Sequence, residues 1–491
     1  MMGKKYQLFI DGKWVDSLSG KTFESLNPAT DEVNAVVAEA GPEDVDLAVK
    51  AARRAFESGP WAEMAPGDRG RLLNKVAQAL WEKADMLAEV ESQDNGLPIN
   101  ETKFIAMPAM IDVLEFYAGL ANKVQGSTLA SPNNRFNFTL KEPIGVVGAI
   151  VPWNFPLMLT MWKLAPALAA GNTIVIKPAE QTPVSILELV KIFQEVGIPN
   201  GVINVITGYG KVAGEALSSH PDVDKIAFTG STQTGRLIMQ AASKNLKPIS
   251  LELGGKSPNI VFDDASIENA VNGSMFGIFF AQGQVCASGT RLFVQESIYD
   301  RFMDSFVKKA QSIRVGNPLE QTTQMGPQVS LQQLNKIEQY VAAGLEQGAN
   351  LVIGGERNRE AGNGYFFTPT VFENVTNDMT IAREEIFGPV LSVIKFKDEE
   401  DALSKANDTL YGLASGVWTN DLKRAHRMVR GLKAGTVYVN TFSMLDSAAP
   451  FGGRKQSGFG RELGIQAMDM YTETKNVWID LNEQGLNWYG V

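Results

Sequence analysis

From Ile144 onward the chain alternates short, β-branched apolar runs with longer stretches of helical spacing. IGVVGAIV precedes PLMLTMWKLAPALAA, TIVIKP precedes PVSILELVKIFQEV, GVINVIT precedes KVAGEALSS, and KIAFTG precedes TGRLIMQAASK. Strands that are apolar on both faces, each followed by a helix, specify right-handed βαβ units and a parallel sheet covered on both sides. A second alternation begins near Ser257 with PNIVF, a helix over 270–280, RLFV and a helix over 298–312, and it continues to about Gly460. Residues 41–124 read as helical, with Pro42, Glu43 and Asp44 suited to a first turn and AVKAARRAF continuing it. The pattern predicts an α/β fold with two sheets, the first of nucleotide-binding architecture.

Two segments depart from this rhythm. RFNFTLKEP (135–143) and TKNVWIDL (474–481) alternate polar and apolar residues like exposed strands. An exposed strand edge invites pairing with another chain, so these segments are expected to form an oligomerisation arm. A solvated hairpin is the alternative. The stretch 143–162 is twenty residues without a charge, long enough to span a bilayer, but Pro143, Pro152 and Pro156 would break one continuous helix there. A buried strand, a tight loop and a helix start explain it better.

Composition narrows the function classes. A net charge of −10 leaves no excess of Lys and Arg to neutralise phosphates, which argues against nucleic-acid binding. The N-terminal apolar patch before Asp11 is too short for a secretory signal, and a single cysteine suits a reducing compartment. A cytoplasmic protein with no membrane span is expected.

The one cysteine, Cys286 in GQVCASGTR, can form neither an internal disulfide nor a thiolate cluster. It is either an inert buried side chain or a nucleophile. The only histidines, His220 and His426, lack motif context, so a Cys–His dyad and a histidine-based metal site are both disfavoured, and no metal is expected. Glu252, in SLELGGKSPN, ends an apolar strand before a glycine pair and is a candidate base at a strand tip, where open α/β sheets bind ligands. A solvated strand-end carboxylate is the plainer reading.

In KIAFTGSTQTG, the small residues Gly230, Ser231 and Gly235 would let backbone amides approach a pyrophosphate at a helix N-terminus, although Thr232 stands where a central glycine would be expected. Lys177 and Glu180 follow the strand TIVIK, where they could hold ribose hydroxyls or face water. Asn154, held between prolines in VPWNFP, suits a donor aimed at a developing oxyanion. Phe155, Met158, Leu159 and Trp162 then fall at i, i+3, i+4 and i+7.

Together these pieces resemble the aldehyde dehydrogenase superfamily. The resemblance runs through nearly the whole chain in order: PWNFP, KPAEQTP, FTGSTQTG, LELGGKSP, GQVCASGTR, EEIFGPV, PFGGRKQSGFGRE and YTETKNV, with Cys286 lying 34 positions after Glu252. It implies a Rossmann-like NAD-binding domain (1–124 and 144–254), an α/β catalytic domain (255–470) and a small β oligomerisation arm (125–143 and 471–491) in a homodimer or homotetramer.

By the same resemblance, Cys286 attacks an aldehyde, the oxyanion is held by Asn154 and the Cys286 N–H, hydride leaves to NAD, and Glu252 activates water to release the acid from a thioester. Lys177 and Glu180 would hold the adenosine ribose, Ser231 the pyrophosphate, and Glu385 with Phe387 the nicotinamide side. A carboxylate at Glu180 would repel a 2′-phosphate, which favours NAD over NADP. The substrate tunnel would comprise Phe155, Met158, Leu159, Trp162, Val285, Leu445 and Phe451.

Those tunnel positions carry no arginine or lysine to clamp a substrate carboxylate, and Phe155, Trp162 and Asp446 make only part of a cage for a quaternary ammonium. An apolar aldehyde, aromatic or medium-chain aliphatic, is therefore expected. Betaine aldehyde or a semialdehyde is the alternative. A non-catalytic protein on the same fold would be marked by loss of Cys286, Asn154 or Glu252, and all three are present.

Overall fold

The computed structural model describes residues 4–485 and 488–490. The strands and helices predicted after Ile144 build an eight-stranded sheet whose five central strands are parallel, in the order Ile249–Glu252, Lys225–Thr229, Val146–Ile150, Thr173–Lys177 and Ile203–Val205. Four of these strands, Val146–Ile150, Thr173–Lys177, Ile203–Val205 and Lys225–Thr229, are buried at every residue, which is why they read as largely apolar runs. The 143–162 stretch resolves into the end of one strand, the strand Val146–Ile150 and the start of the helix Pro156–Ala170. That helix is buried on all sides and ends at Gly171, whose φ of 98° supplies the left-handed cap. Among the described residues, no helix is long and apolar enough to cross a membrane.

The second alternation builds a seven-stranded sheet in the order Asn350–Ile353, Thr370–Glu373, Val390–Phe396, Arg291–Gln295, Pro258–Val261, Ala414–Trp418 and Thr436–Val439, parallel except at its first pair. Gly458–Phe459, far along the chain, returns to pair antiparallel with Leu251 and Glu252 at the edge of the first sheet. At the opposite edge of that sheet lie Leu8–Ile10 and Lys13–Val15, strands of the N-terminal region that the apolar pattern does not announce.

The alternating segments pair with each other. Arg135–Pro143 lies antiparallel to Thr472–Asp480 over nine residue pairs, with Thr128–Leu129 on its other side. This three-stranded ribbon exposes Phe136, Leu140, Trp478 and Ile479.

Candidate active site

The carboxyl-terminal tips of the first sheet face the loop that carries Cys286. Between them lies a cleft with a cavity of about 190 Å³, bordered by Asn154, Gly230, Ser231, Glu252, Cys286, Glu385 and Phe387. Residues distant in sequence are brought together because Asn154, Gly230, Ser231 and Glu252 lie at or just after strand ends of the first sheet, while Cys286, Glu385 and Phe387 lie in loops that lead into strands of the second. Lys177, Glu180 and Gly235 lie outside this cavity's lining.

Glu252 closes the strand Ile249–Glu252 and is buried, not solvated. Its Oε2 has no hydrogen-bond partner among the described residues. Burial holds its carboxyl well above the usual range; the negative charge of Glu462 acts in the same direction, and the cations Lys163 and Arg461 oppose it. A buried carboxylate oxygen without a partner, on a carboxyl raised in this way, is suited to accepting a proton.

Cys286 is partly enclosed. Burial pushes its thiol up to about 12; Glu252 and Glu385 add to the rise, while the N–H groups of Ala287 and Cys286 itself oppose it. Those two N–H groups therefore point where negative charge on sulfur or on an adjacent oxygen would develop. Asn154 is buried beside them and donates one amide hydrogen from Nδ2 to the Gln284 carbonyl at 2.9 Å. Its second amide hydrogen is the one available for an oxyanion.

The other end of the cleft is bordered by Gly230 and Ser231. Ser231 caps the helix Thr232–Ala242, with its Oγ accepting the Thr234 N–H, and the helix N-terminus presents backbone donors to an anion. A Cβ at Gly230 would stand 2.5 Å from the Phe228 ring, and one at Gly235 would stand 2.6 Å from Leu253, so the helix start sits close against the sheet. Glu385 Oε1 accepts the Gly255 N–H at 2.9 Å, and a Cβ at Gly254 would lie 2.3 Å from its Oε2. Phe387 adopts φ 62° and packs edge-on against Trp153 with ring centroids 5.1 Å apart. Lys177 is buried; its Nζ donates to the Pro178 carbonyl at 2.8 Å and meets Glu180 at 3.3 Å, at the tip of the strand Thr173–Lys177.

The tunnel candidates gather in part. Phe155, Met158, Leu159, Trp162 and Phe451 are buried in one apolar cluster, and Val285 and Cys286 pack against it. Trp162 meets Phe451 edge-on at 5.4 Å, and Phe155 stacks on Phe280 at 5.7 Å. Leu445 is exposed.

Sequence reasoning passed over several participants. Gln333 donates to the carbonyls of Ile386 and Phe387, and Lys336 donates to that of Glu385, so one helix fixes the strained Phe387 loop. Lys163 is fully buried, donates to Thr229 Oγ1 at 2.6 Å and pairs with Glu462. The signal was present: Lys163 is the one charge in PLMLTMWKLAPALAA.

The comparisons with known proteins give the family of the chain. The model of the "Aldehyde dehydrogenase family" matches residues 14–477. An aldehyde dehydrogenase of Emericella nidulans is 51% identical over 97% of this chain and 95% of its own length. The structure of an aldehyde dehydrogenase from Bacillus cereus in complex with NAD+ superposes with a TM-score of 0.96 at 48% identity, covering 98% of this chain and 97% of that one. A betaine aldehyde dehydrogenase from Staphylococcus aureus, also in complex with NAD+, gives 0.97 at 41% identity over 99% and 97% of the two chains. With a family match over nearly the whole chain and a cysteine, a raised carboxyl and an amide donor on one cleft, the protein belongs to the aldehyde dehydrogenase family.

Proposed function

We propose that this protein is an NAD-dependent dehydrogenase that oxidises an apolar aldehyde, aromatic or medium-chain aliphatic, to its carboxylic acid. The observation that supports this reading best is the shared cleft: Cys286, Glu252 and Asn154 border the same cavity as Ser231 and Glu385.

The chemistry follows from these side chains. The Cys286 sulfur, as thiolate, adds to the aldehyde carbon, and the new oxyanion is met by the second Asn154 amide hydrogen and the Cys286 N–H. NAD, when bound, supplies the hydride acceptor that converts the thiohemiacetal to a thioester. Ser231 and the helix start behind it would hold the pyrophosphate, Lys177 and Glu180 the adenosine ribose, and Glu385 with Phe387 the nicotinamide end. Glu252 takes the proton of the attacking water, and the Cys286 thiolate leaves as the acid is released.

The substrate class rests on the apolar side chains of Phe155, Met158, Leu159, Trp162 and Phe451 packed with Cys286, none of which is a cation that could clamp a substrate carboxylate. Against a betaine-type cage, Asp446 is exposed and accepts the Ala448 N–H at 2.8 Å. The division into an NAD-binding part, a catalytic part and an arm, a homodimer or homotetramer joined through the arm's exposed apolar strands, and a cytoplasmic location belong to the same reading.

The test is NADH formation with phenylacetaldehyde, benzaldehyde, hexanal, betaine aldehyde and succinic semialdehyde, compared as kcat/KM, with Cys286→Ala as control. An aromatic or aliphatic winner whose turnover vanishes in the control is the expected result. A charged winner would overturn the substrate class, and no turnover by a folded, NAD-binding protein would overturn the function.

A further inference from the structure

The backbone immediately before Cys286 is strained. Ala281 and Gln282 adopt left-handed conformations (φ 49°, ψ 38° and φ 57°, ψ 25°), and Gly283 follows at φ 73°. Only the third is a glycine, so two side-chain-bearing residues accept a conformation in which Cβ crowds the following carbonyl. Such a turn persists only where its surroundings over-determine it, and strain of this kind concentrates at functional sites.

The surroundings are specific. The Ala281 N–H donates to Glu101 Oε2 at 3.1 Å. Gln282 Nε2 donates to the carbonyls of Gly96 at 2.7 Å and Pro327 at 3.0 Å. The turn then closes with the Gln284 N–H on the Ala281 carbonyl at 2.9 Å. The carbonyl of Gln284 receives the Asn154 amide, and Asn95 Nδ2 donates to the Asn154 carbonyl at 3.3 Å. One short segment, 95–101, thus touches both the cysteine loop and the asparagine loop. Glu101 directly precedes a π-helical turn, Thr102–Ala106, an irregularity frequent at functional sites.

We propose that Glu101 is a positioning residue of the active site: by holding the Ala281 N–H it fixes the left-handed turn that aims Cys286 and places the Gln284 carbonyl on which Asn154 is oriented. This rests on Cys286 being the nucleophile. Glu101 itself lies behind the turn and is absent from the lining of the cleft. Burial pushes its carboxyl up to about 8 while the Ala281 N–H opposes the rise. A protonated carboxyl still accepts through its carbonyl oxygen, and so does a glutamine amide.

The experiment compares Glu101→Ala with Glu101→Gln by two independent readouts. The first is amide hydrogen exchange of the peptide spanning 280–287, which reports the turn itself. The second is kcat/KM for the best aldehyde of the panel beside the Kd for NAD. In Glu101→Ala the peptide should exchange at least tenfold faster and kcat/KM should fall at least tenfold, with the Kd for NAD within twofold of the parent. Glu101→Gln should restore both. Unchanged exchange, or an unchanged kcat/KM despite faster exchange, would overturn the proposal.

Should Glu101→Ala fail to fold, the pair is made in an Ala281→Gly background, where the left-handed turn no longer carries a Cβ. The penalty of removing Glu101 should be smaller there than that of Gln282→Met in the same background, and an equal or greater penalty would count against Glu101. Turnover surviving in Cys286→Ala would instead sink the functional reading, while the exchange result would still decide whether Glu101 holds the turn.

Discussion

Lys163 and Glu462 form an ion pair in which both side chains are buried, and the pair's two charges act on the Glu252 carboxyl in opposite directions. A buried pair is costly to assemble and costlier to break on one side, because the remaining charge has neither water nor partner. Lys163→Met should therefore lower stability by about 3–5 kcal/mol, read from urea unfolding. The same change removes a cation that lowers the Glu252 carboxyl, so that carboxyl rises further and the base form requires a more alkaline solution. The acidic limb of the kcat profile should move to higher pH. An unmoved limb in a folded variant would show that Glu252 does not titrate in the limiting step.

Cys286 is the chain's one cysteine, so a single mass shift on alkylation reports its reactivity alone. With the thiol pushed up to about 12 in the cofactor-free protein, only about one molecule in 10⁴ is thiolate at pH 8. The rate with iodoacetamide should rise about tenfold per pH unit from 7 to 10. Glu252 contributes to raising the thiol, so Glu252→Gln should increase that rate at pH 9. A flat profile over this range would place the thiol far lower than its surroundings imply.

Gly254 faces Glu385 so closely that a Cβ would fall 2.3 Å from Oε2. Gly254→Ala must displace this carboxylate from the cleft wall and disturb its bond to the Gly255 N–H. If Glu385 contacts the nicotinamide side, NAD should bind about tenfold more weakly, a loss of about 1.4 kcal/mol, by titration of intrinsic fluorescence. Undiminished NAD affinity with full folding would remove Glu385 from the cofactor contacts.

The βαβ rhythm was legible because buried strands and their covering helices leave a coarse, local signature; PLMLTMWKLAPALAA coincides with the helix Pro156–Ala170 residue for residue. The strand ends were legible too, which put Glu252 at one strand tip and Ser231 in the turn after another. What escaped was carried by long-range partners. Nothing local marks Glu462 as the mate of Lys163, since 299 residues separate them. The tunnel stripe was a weaker inference than its spacing suggested, because a helix buried on every side has no apolar face to single out. The left-handed Ala281 and Gln282 were invisible for a related reason: neither is a residue type that favours that conformation, and long-range contacts with Glu101, Gly96 and Pro327 hold them there.

Glu180 stands at the tip of the strand Thr173–Lys177, with its carboxylate 3.3 Å from the Lys177 ammonium and about a third exposed. In the ribose site proposed above, it would accept the 2′-hydroxyl, and its charge would repel a phosphate at that position. At a separation near 4 Å, two unit charges in a surface environment interact by several kcal/mol before screening, so one carboxylate is enough to decide between the cofactors. Glu180→Gln keeps the size and the acceptor but removes the charge. The ratio of kcat/KM for NAD to that for NADP should fall by at least tenfold, chiefly through improved use of NADP, and the difference should shrink as ionic strength rises. A ratio unchanged at low salt would show that discrimination arises elsewhere, and a loss of NAD use without gain for NADP would make Glu180 a hydrogen-bonding contact and not an electrostatic filter.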